Sequence, residues 1–168
     1  MYKYDTLFLD RDGVINKKLE GNYVCSFKSF EFMPNALLAI SKLSRIFNRI
    51  IIVTNQQCIG KKIISKNELN AIHELMLKQI KKNAGYINKI YYCPHLAKEF
   101  CSCRKPKTGM IQQAIIDFPE IIIEDSYLVG DSVSDIEAGN KMKLKTVRVD
   151  SSYTLSSWTK TLIKENNV

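Results

Sequence analysis

The sequence predicts an α/β fold, a mainly parallel sheet with helices on both faces, and three observations carry that expectation. Short apolar runs such as Leu7-Phe8-Leu9 and Ile50-Ile51-Ile52-Val53 stop abruptly on polar residues, as strands buried on both faces do. Between them lie segments whose apolar residues recur every three to four positions, the period of a helix packed on a sheet. Strands that alternate with helices need crossover connections, which make neighbouring strands parallel. The 168 residues, 45% of them hydrophobic, suffice for one domain over 1–168 with a real core.

The first strand ends on Asp10-Arg11-Asp12-Gly13, and the C-terminal ends of such strands are where open α/β sheets place their chemistry. Two acids one residue apart can divide a phosphoryl transfer, one attacking phosphorus and the other moving the proton, while a divalent metal suppresses their repulsion. Residues 14–31 form an irregular polar and aromatic stretch too long for a plain connection, in the place of a lid beside the carboxylates. Pro34 opens a predicted helix carrying Leu37, Ile40, Leu43 and Phe47 at helical spacing. The second strand, 50–53, ends on Thr54-Asn55-Gln56. Ser65-Lys66-Asn67-Glu68 reads as a capping box, and Leu69, Ile72, Met76 and Ile80 give the following helix an apolar face, with His73 at its edge as a packing histidine. A third strand near Lys89-Ile90-Tyr91-Tyr92 runs into a cysteine cluster. Gly109 to Phe118 reads as a helix stopped by Pro119, Tyr127 to Gly130 as a fourth strand ending on Asp131, and 145–149 as a fifth. The tail 151–168 shows no assignable element, and Trp158 within it reads as a packing anchor.

Asp10 and Asp12, then Thr54 and Asn55, then Asp131 followed by Asp135, close three separate strands. In a parallel sheet those ends share one edge, so these groups converge on a single phosphate-sized site. Cys103-Arg104-Lys105-Pro106-Lys107 places cations shortly before a helix. A phosphoryl transition state spreads negative charge over its oxygens, so Lys105 is the expected charge-neutralising group. The planar fork of Arg104 suits a substrate oxygen or a second phosphate. Cys93-Pro94-His95 and Cys101-Ser102-Cys103 bring three thiolates and one imidazole into a short loop, the ligand set of a closed tetrahedral zinc site. Such a zinc would be structural, ordering a polar loop and holding Arg104 and Lys105 directly behind it. Cys25 and Cys58 read as free thiols.

A net charge of +8, spread over lysines throughout the chain, serves solvation and the attraction of an anionic substrate. No apolar run reaches membrane-spanning length, and Met1-Tyr2-Lys3-Tyr4-Asp5 has no signal-peptide pattern. A cytoplasmic protein with reduced cysteines and no membrane partner is therefore expected.

Together these residues resemble the haloacid dehalogenase (HAD) superfamily of phosphatases, from about Asp5 to Asp150. Asp10-Arg11-Asp12-Gly13-Val14 is similar to its first motif, Thr54 to its second, Lys105 to its third, and Gly130-Asp131 with Asp135 to its fourth. The resemblance implies a Rossmann-like sheet and a catalytic set of Asp10, Asp12, Thr54 and Lys105. In it Asp10 forms an aspartyl-phosphate, while Asp12 protonates the leaving alcohol and then activates water. It also implies magnesium held by Asp10, the backbone carbonyl of Asp12, and Asp131, with Asp135 orienting Lys105 or supporting the metal. Asn55, Gln56, Arg104 and Lys105 are the expected substrate contacts.

The zinc loop narrows the resemblance to the subgroup of heptose 1,7-bisphosphate 7-phosphatases and histidinol-phosphatase domains, which lack a large cap. Ile15-Asn16 and Gln56-Gln57 followed by Ile59 look closer to the heptose enzymes. Val14 stands where the family usually has Thr, Cys58 where Gly is common, and the segment from His95 to Cys101 is short, closer to the histidinol-phosphatase length. The expected activity is magnesium-dependent removal of the 7-phosphate from a heptose bisphosphate in surface-polysaccharide (lipopolysaccharide) synthesis, by a monomer acting on a small phosphorylated sugar. Histidinol phosphate is the alternative substrate. A nucleic acid 3′-phosphatase would use the +8 charge, but the chain lacks a basic stripe interleaved with aromatics, so no nucleic acid partner is expected. A zinc-ribbon binding module would need neither Asp10 nor Asp131.

Overall fold

The computed structural model describes residues 2–166, with the side chain of Asn166 left aside. Five strands form one parallel sheet: β1 (Tyr4–Leu9), β2 (Phe47–Asn55), β3 (Lys89–Cys93), β4 (Tyr127–Gly130) and β5 (Lys145–Arg148), in the order β3-β2-β1-β4-β5. The chain steps outward from β1 through β2 to β3, then crosses back to lay β4 on the other side of β1. That reversal opens a crevice at the C-terminal ends of β1 and β4, the switch point at which such sheets bind ligands. Among the described residues five α-helices connect or cover the strands: α1 (Ala36–Leu43), α2 (Lys66–Lys82), α3 (Gly109–Asp117), α4 (Val133–Lys141) and α5 (Leu155–Asn166). None of the described helices is long and apolar enough to cross a membrane.

The apolar runs fill two cores because successive strand residues point to opposite faces. Leu7, Leu9, Ile50, Ile52 and Val129 belong to the core that also takes in α1, α2 and α5. Phe8, Ile51, Val53 and Leu128 belong to the core shared with α3 and α4. Fully burying an aliphatic side chain of this kind is worth about 1.5–3 kcal/mol, which explains the unbroken apolar runs Leu7-Phe8-Leu9 and Ile50-Ile51-Ile52-Val53 in the central strands.

The structure departs from the sequence reading in three places. Phe47 does not end a helix but opens β2, in register with Tyr4. α1 starts after a Pro34-Asn35 turn and closes when Ile46 N–H donates to Leu43 O, so the chain reverses at once and the Phe47 ring packs on Tyr4, Tyr127 and Trp158. The tail forms α5, whose Leu155, Trp158 and Leu162 are buried against the first core. Residues 14–31 are not uniformly a lid: Val14, Ile15, Asn16, Val24 and Phe30 are buried, while Lys17, Lys18 and Glu20 to Asn22, and again Ser26, Lys28 and Ser29, are exposed.

Candidate active site

Asp10 follows the last residue of β1, and its backbone N–H donates to Val129 O at 2.9 Å, locking it to β4. Gly13 turns the chain away with φ +85°, and a Cβ there would lie 2.5 Å from Asp131 Oδ2. Glycine is required on both counts, and its close approach brings the acid after β4 beside the acid after β1. Asp131 precedes α4, whose first turn is closed by a capping box: Ser132 N–H and Oγ donate to Asp135 Oδ2 at 3.0 and 2.7 Å. That interaction leaves Asp135 Oδ1 facing Lys105.

Lys105 is almost fully buried, and its ammonium meets three acceptors: Asp10 Oδ1 at 2.8 Å, Asp135 Oδ1 at 2.6 Å and Val53 O at 2.6 Å. Two hydrogen bonds, to Asp10 and Val53, and the ion pair with Asp135 hold the group from three sides. Asn55 clamps the backbone behind it, its Nδ2 donating to Lys105 O and its Oδ1 accepting from Lys105 N–H, both at 3.1 Å. The Asp12 carboxylate accepts from Arg11 Nη2 at 2.9 and 3.0 Å, from Asn16 Nδ2 at 2.9 Å and from Gln56 Nε2 at 2.9 Å. Gln56 also donates to Thr54 Oγ1 at 2.8 Å. The amides of Asn55 and Gln56, expected as substrate contacts, hydrogen-bond Lys105 and Asp12, and both residues also line the cavity over these groups.

Asp10, Asp12, Thr54, Arg104, Lys105, Asp131 and Asp135 all line one cavity of about 420 Å³, with Lys18 to Val24 as one wall. Lys18 Nζ reaches Asp131 Oδ2 at 2.7 Å. Oxygens of Asp10, Asp131 and Asp135 lie within 4.8 Å of one another, so hard carboxylate donors suited to magnesium are gathered there.

The second cluster sits beside it. Cys93 ends β3, and the ligand atoms of Cys93, His95, Cys101 and Cys103 lie within 4.8 Å of one another. Cys93 Sγ is 3.5 Å from Cys101 Sγ and 3.6 Å from His95 Nδ1, and Cys103 Sγ is 3.3 Å from that nitrogen. All the cysteines are free thiols, Cys25 and Cys58 included. Zinc ligands at about 2.0–2.3 Å from a tetrahedral centre span edges of this length, so the donor set fits a metal. Burial raises the Cys101 thiol, but the backbone N–H of Arg104 and the neighbouring thiols outweigh it and lower the group to about 7. Lys107 Nζ donates to Phe100 O and Cys101 O, and Lys141 Nζ to Pro106 O, tying both ends of the loop.

Residues 102–167 match the HAD-hydrolase-like family model. Two curated relatives are named D-glycero-alpha-D-manno-heptose-1,7-bisphosphate 7-phosphatase. The one from Mycobacterium bovis is 37% identical over 81% of this chain and 72% of its own length. The one from Photorhabdus laumondii is 34% identical over 99% of this chain and 93% of its own. The chain belongs to the heptose-1,7-bisphosphate 7-phosphatase family. The D,D-heptose 1,7-bisphosphate phosphatase from B. bronchiseptica, solved with magnesium and phosphate, superposes with a TM-score of 0.87 at 25% identity, covering 96% of this chain and 99% of that one. The protein is accordingly a HAD-type phosphoric monoester hydrolase, and no large cap interrupts its five-stranded sheet.

The charges of this phosphatase are set by unequal company. Burial is the main force on Asp10, and with Asp135 and Asp12 nearby it outweighs Lys105 and pushes the carboxyl up to about 7. Burial also acts against Asp12, but the Arg11 guanidinium and the hydrogen bonds from Asn16, Arg11 and Gln56 win and hold it below the ordinary carboxylate range. Lys105 is opposed by burial yet raised by Asp10 and Asp135, so it keeps its proton. Arg11 was missed by sequence reasoning. It is 1% exposed, a permanent charge inside the protein, and its only signal was an invariantly charged residue type between two acids in an apolar context.

Proposed function

We propose that this chain, folding as one phosphatase domain over 1–168, removes the 7-phosphate of D-glycero-D-manno-heptose 1,7-bisphosphate through an aspartyl-phosphate on Asp10. The observation that carries the reading is the buried Lys105 ammonium, hydrogen-bonded to Asp10 Oδ1 and paired with Asp135, in a cavity shared with Asp12 and Asp131. The names of the relatives supply the sugar.

Lys105 holds one oxygen of Asp10 and leaves the other to attack phosphorus. As the bond from phosphorus to the C7 oxygen breaks, Asp12 gives that oxygen its proton and the heptose 1-phosphate leaves. The anionic ester beside Asp12 raises its proton affinity, which lets a carboxylate held low serve as the acid. Asp12 then takes a proton from water as the water attacks the aspartyl-phosphate, and inorganic phosphate departs with Asp10 restored. Magnesium, held by Asp10, Asp131 and the Asp12 carbonyl, would keep Asp10 ionised and neutralise phosphoryl charge. Thr54 lines the phosphate end. Cys93, His95, Cys101 and Cys103 would hold a structural zinc with all four positions filled by protein. The reading includes a small sugar phosphate as the sole partner, a monomer, and the cytoplasm, where free thiols persist.

Turnover of both heptose bisphosphate anomers, histidinol phosphate and a 3′-phosphorylated oligonucleotide, compared side by side, tests the substrate. A heptose bisphosphate should be preferred, with phosphate released from C7; faster turnover of histidinol phosphate would remove the sugar from the reading.

Arg104 and Lys105 should separate binding from chemistry. Lys105→Ala should mainly lower kcat. Arg104, at the cavity wall with its Nη1 only loosely on His95 O at 3.5 Å, is free to grip the second phosphate, so Arg104→Ala should mainly raise KM. A charged hydrogen bond is worth about 1.5–3 kcal/mol, roughly 10- to 150-fold in KM. The penalty should shrink on a monophosphate lacking the distal group, and equal penalties on both substrates would argue that Arg104 does not read that phosphate.

A further inference from the structure

Beneath the cavity lies a histidine that no step above uses. His73 of α2 is 5% exposed; its Nε2 is 3.1 Å from Arg11 Nη1, and its ring meets Tyr92 edge-on, 6.1 Å between centroids. A guanidinium only donates and stays charged, so the nitrogen facing it carries a lone pair and the ring proton sits on Nδ1. We propose that His73 is a positioning residue for Asp12: by accepting from Arg11 Nη1 it locks the guanidinium whose Nη2 grips both Asp12 oxygens, and so sets the direction from which Asp12 gives and takes its proton.

Arg11 Nε has no hydrogen-bond partner, so His73 is the contact that fixes the far end of the fork. Without it the guanidinium can turn about its bonds to Asp12, leaving only Asn16 and Gln56 to hold the direction of the carboxylate. The groups facing the ring are Arg11 and Asp12 from the loop after β1 and Tyr92 from β3, with Glu74 beside it on α2 at the mouth of an outer groove. Burial and the Arg11 charge, only partly offset by Asp12, hold the imidazole down at about 3, so the accepting form persists across the working pH range.

The proposal rests on the reading of Asp12 as acid and base, and a leaving-group comparison separates the two. The holoenzyme is assayed for kcat/KM on heptose bisphosphate, whose alkoxide needs a proton to leave, and on p-nitrophenyl phosphate, whose phenolate does not. His73→Leu should lose roughly 10- to 100-fold on the sugar, the scale on which a small misplacement of a reacting group acts, and far less on the aryl ester. His73→Gln, whose side-chain carbonyl can accept from Arg11, should restore most of the loss. Asp12→Asn is the reference and should show the same selectivity more strongly. If Asp12→Asn is selective and His73→Leu loses equally on both esters or not at all, the His73 proposal is overturned alone. If Asp12→Asn itself lacks selectivity, the Asp12 reading falls and takes this proposal with it. Should His73→Leu not fold, the nitrogen NMR shifts of the native His73 ring decide: a bare Nε2 with a protonated Nδ1 is expected at pH 7, and an imidazolium there refutes the contact.

Discussion

Asp10→Asn should abolish turnover, by roughly 10³-fold or more in kcat, the scale on which removal of a nucleophile acts, while the fold survives. The substitution keeps the side-chain shape and removes the attacking charge. Lys105 retains Asp135 Oδ1 and Val53 O, so no buried ammonium is left bare, which is the outcome that would unfold the site. A beryllofluoride adduct on Asp10, a covalent mimic of the phosphoryl group, should form in the native enzyme and be missing in Asp10→Asn. Near-normal activity in Asp10→Asn would falsify the covalent mechanism.

The same variant reports on the cost of burying that acid. In the folded protein Asp10 is raised from 3.8 to about 7 by burial and by Asp135 and Asp12, so between those values the folded state holds a proton that the unfolded chain has released. Stability contributed by this group is therefore present at low pH and lost as pH rises through that window. Asp10→Asn has no such loss. In magnesium-free buffer it should melt higher than the native protein at pH 8, with the gap closing as pH falls toward 4. A gap that widens on acidification would show that Lys105, not burial, dominates Asp10.

Replacement of Cys101 or Cys103 by Ser removes zinc, which should otherwise copurify at about one per chain for a closed four-ligand site. Structural zinc sites carry apparent binding energies of about 10–16 kcal/mol, comparable to the whole stability of a domain. Apart from the lysine ties at its C-terminal end, the loop has little packing to order it: Ala97 to Phe100 are exposed, and Phe100 is 84% so. Its loss should be felt at once by Arg104 and Lys105, which follow Cys103 directly. Faster hydrogen exchange over 93–105 and a fall in kcat of at least about 10-fold, as for groups that orient a metal or reacting centre, are the expected readouts. Metal analysis finding no zinc in gently prepared, reduced protein would remove this part of the reading.

Much of the site was legible before any coordinates because its signals are local. The apolar runs ending on Asp10, Thr54 and Asp131 announce strand ends, and parallel topology gathers strand ends on one edge whatever lies between them. The capping box at Ser65 and Glu68 forms as read, with Glu68 Oε2 accepting from Ser65 N–H and Oγ, since both partners lie within one turn. The cysteine and histidine spacing likewise closes a cluster within a single loop. The α5 helix carried the same kind of signal, Leu155, Trp158 and Leu162 at i, i+3 and i+7, but diluted by Ser, Thr and Lys, and the burial of that stripe on the first core makes it plain.

What only the tertiary structure decided is the partner of each polar side chain. His73 sits on the apolar face of α2, and its spacing says packing, yet its nitrogen meets Arg11, 62 residues away in sequence. Asn55 and Gln56 are polar residues at a strand end, and their pattern does not say that, besides lining the cavity, they hydrogen-bond Lys105 and Asp12. Periodicity records which face of an element is apolar, because burial acts on every residue of that face. A hydrogen bond depends on one atom of a distant element arriving within about 3 Å at the right angle, and that is determined by how the whole sheet and its helices pack.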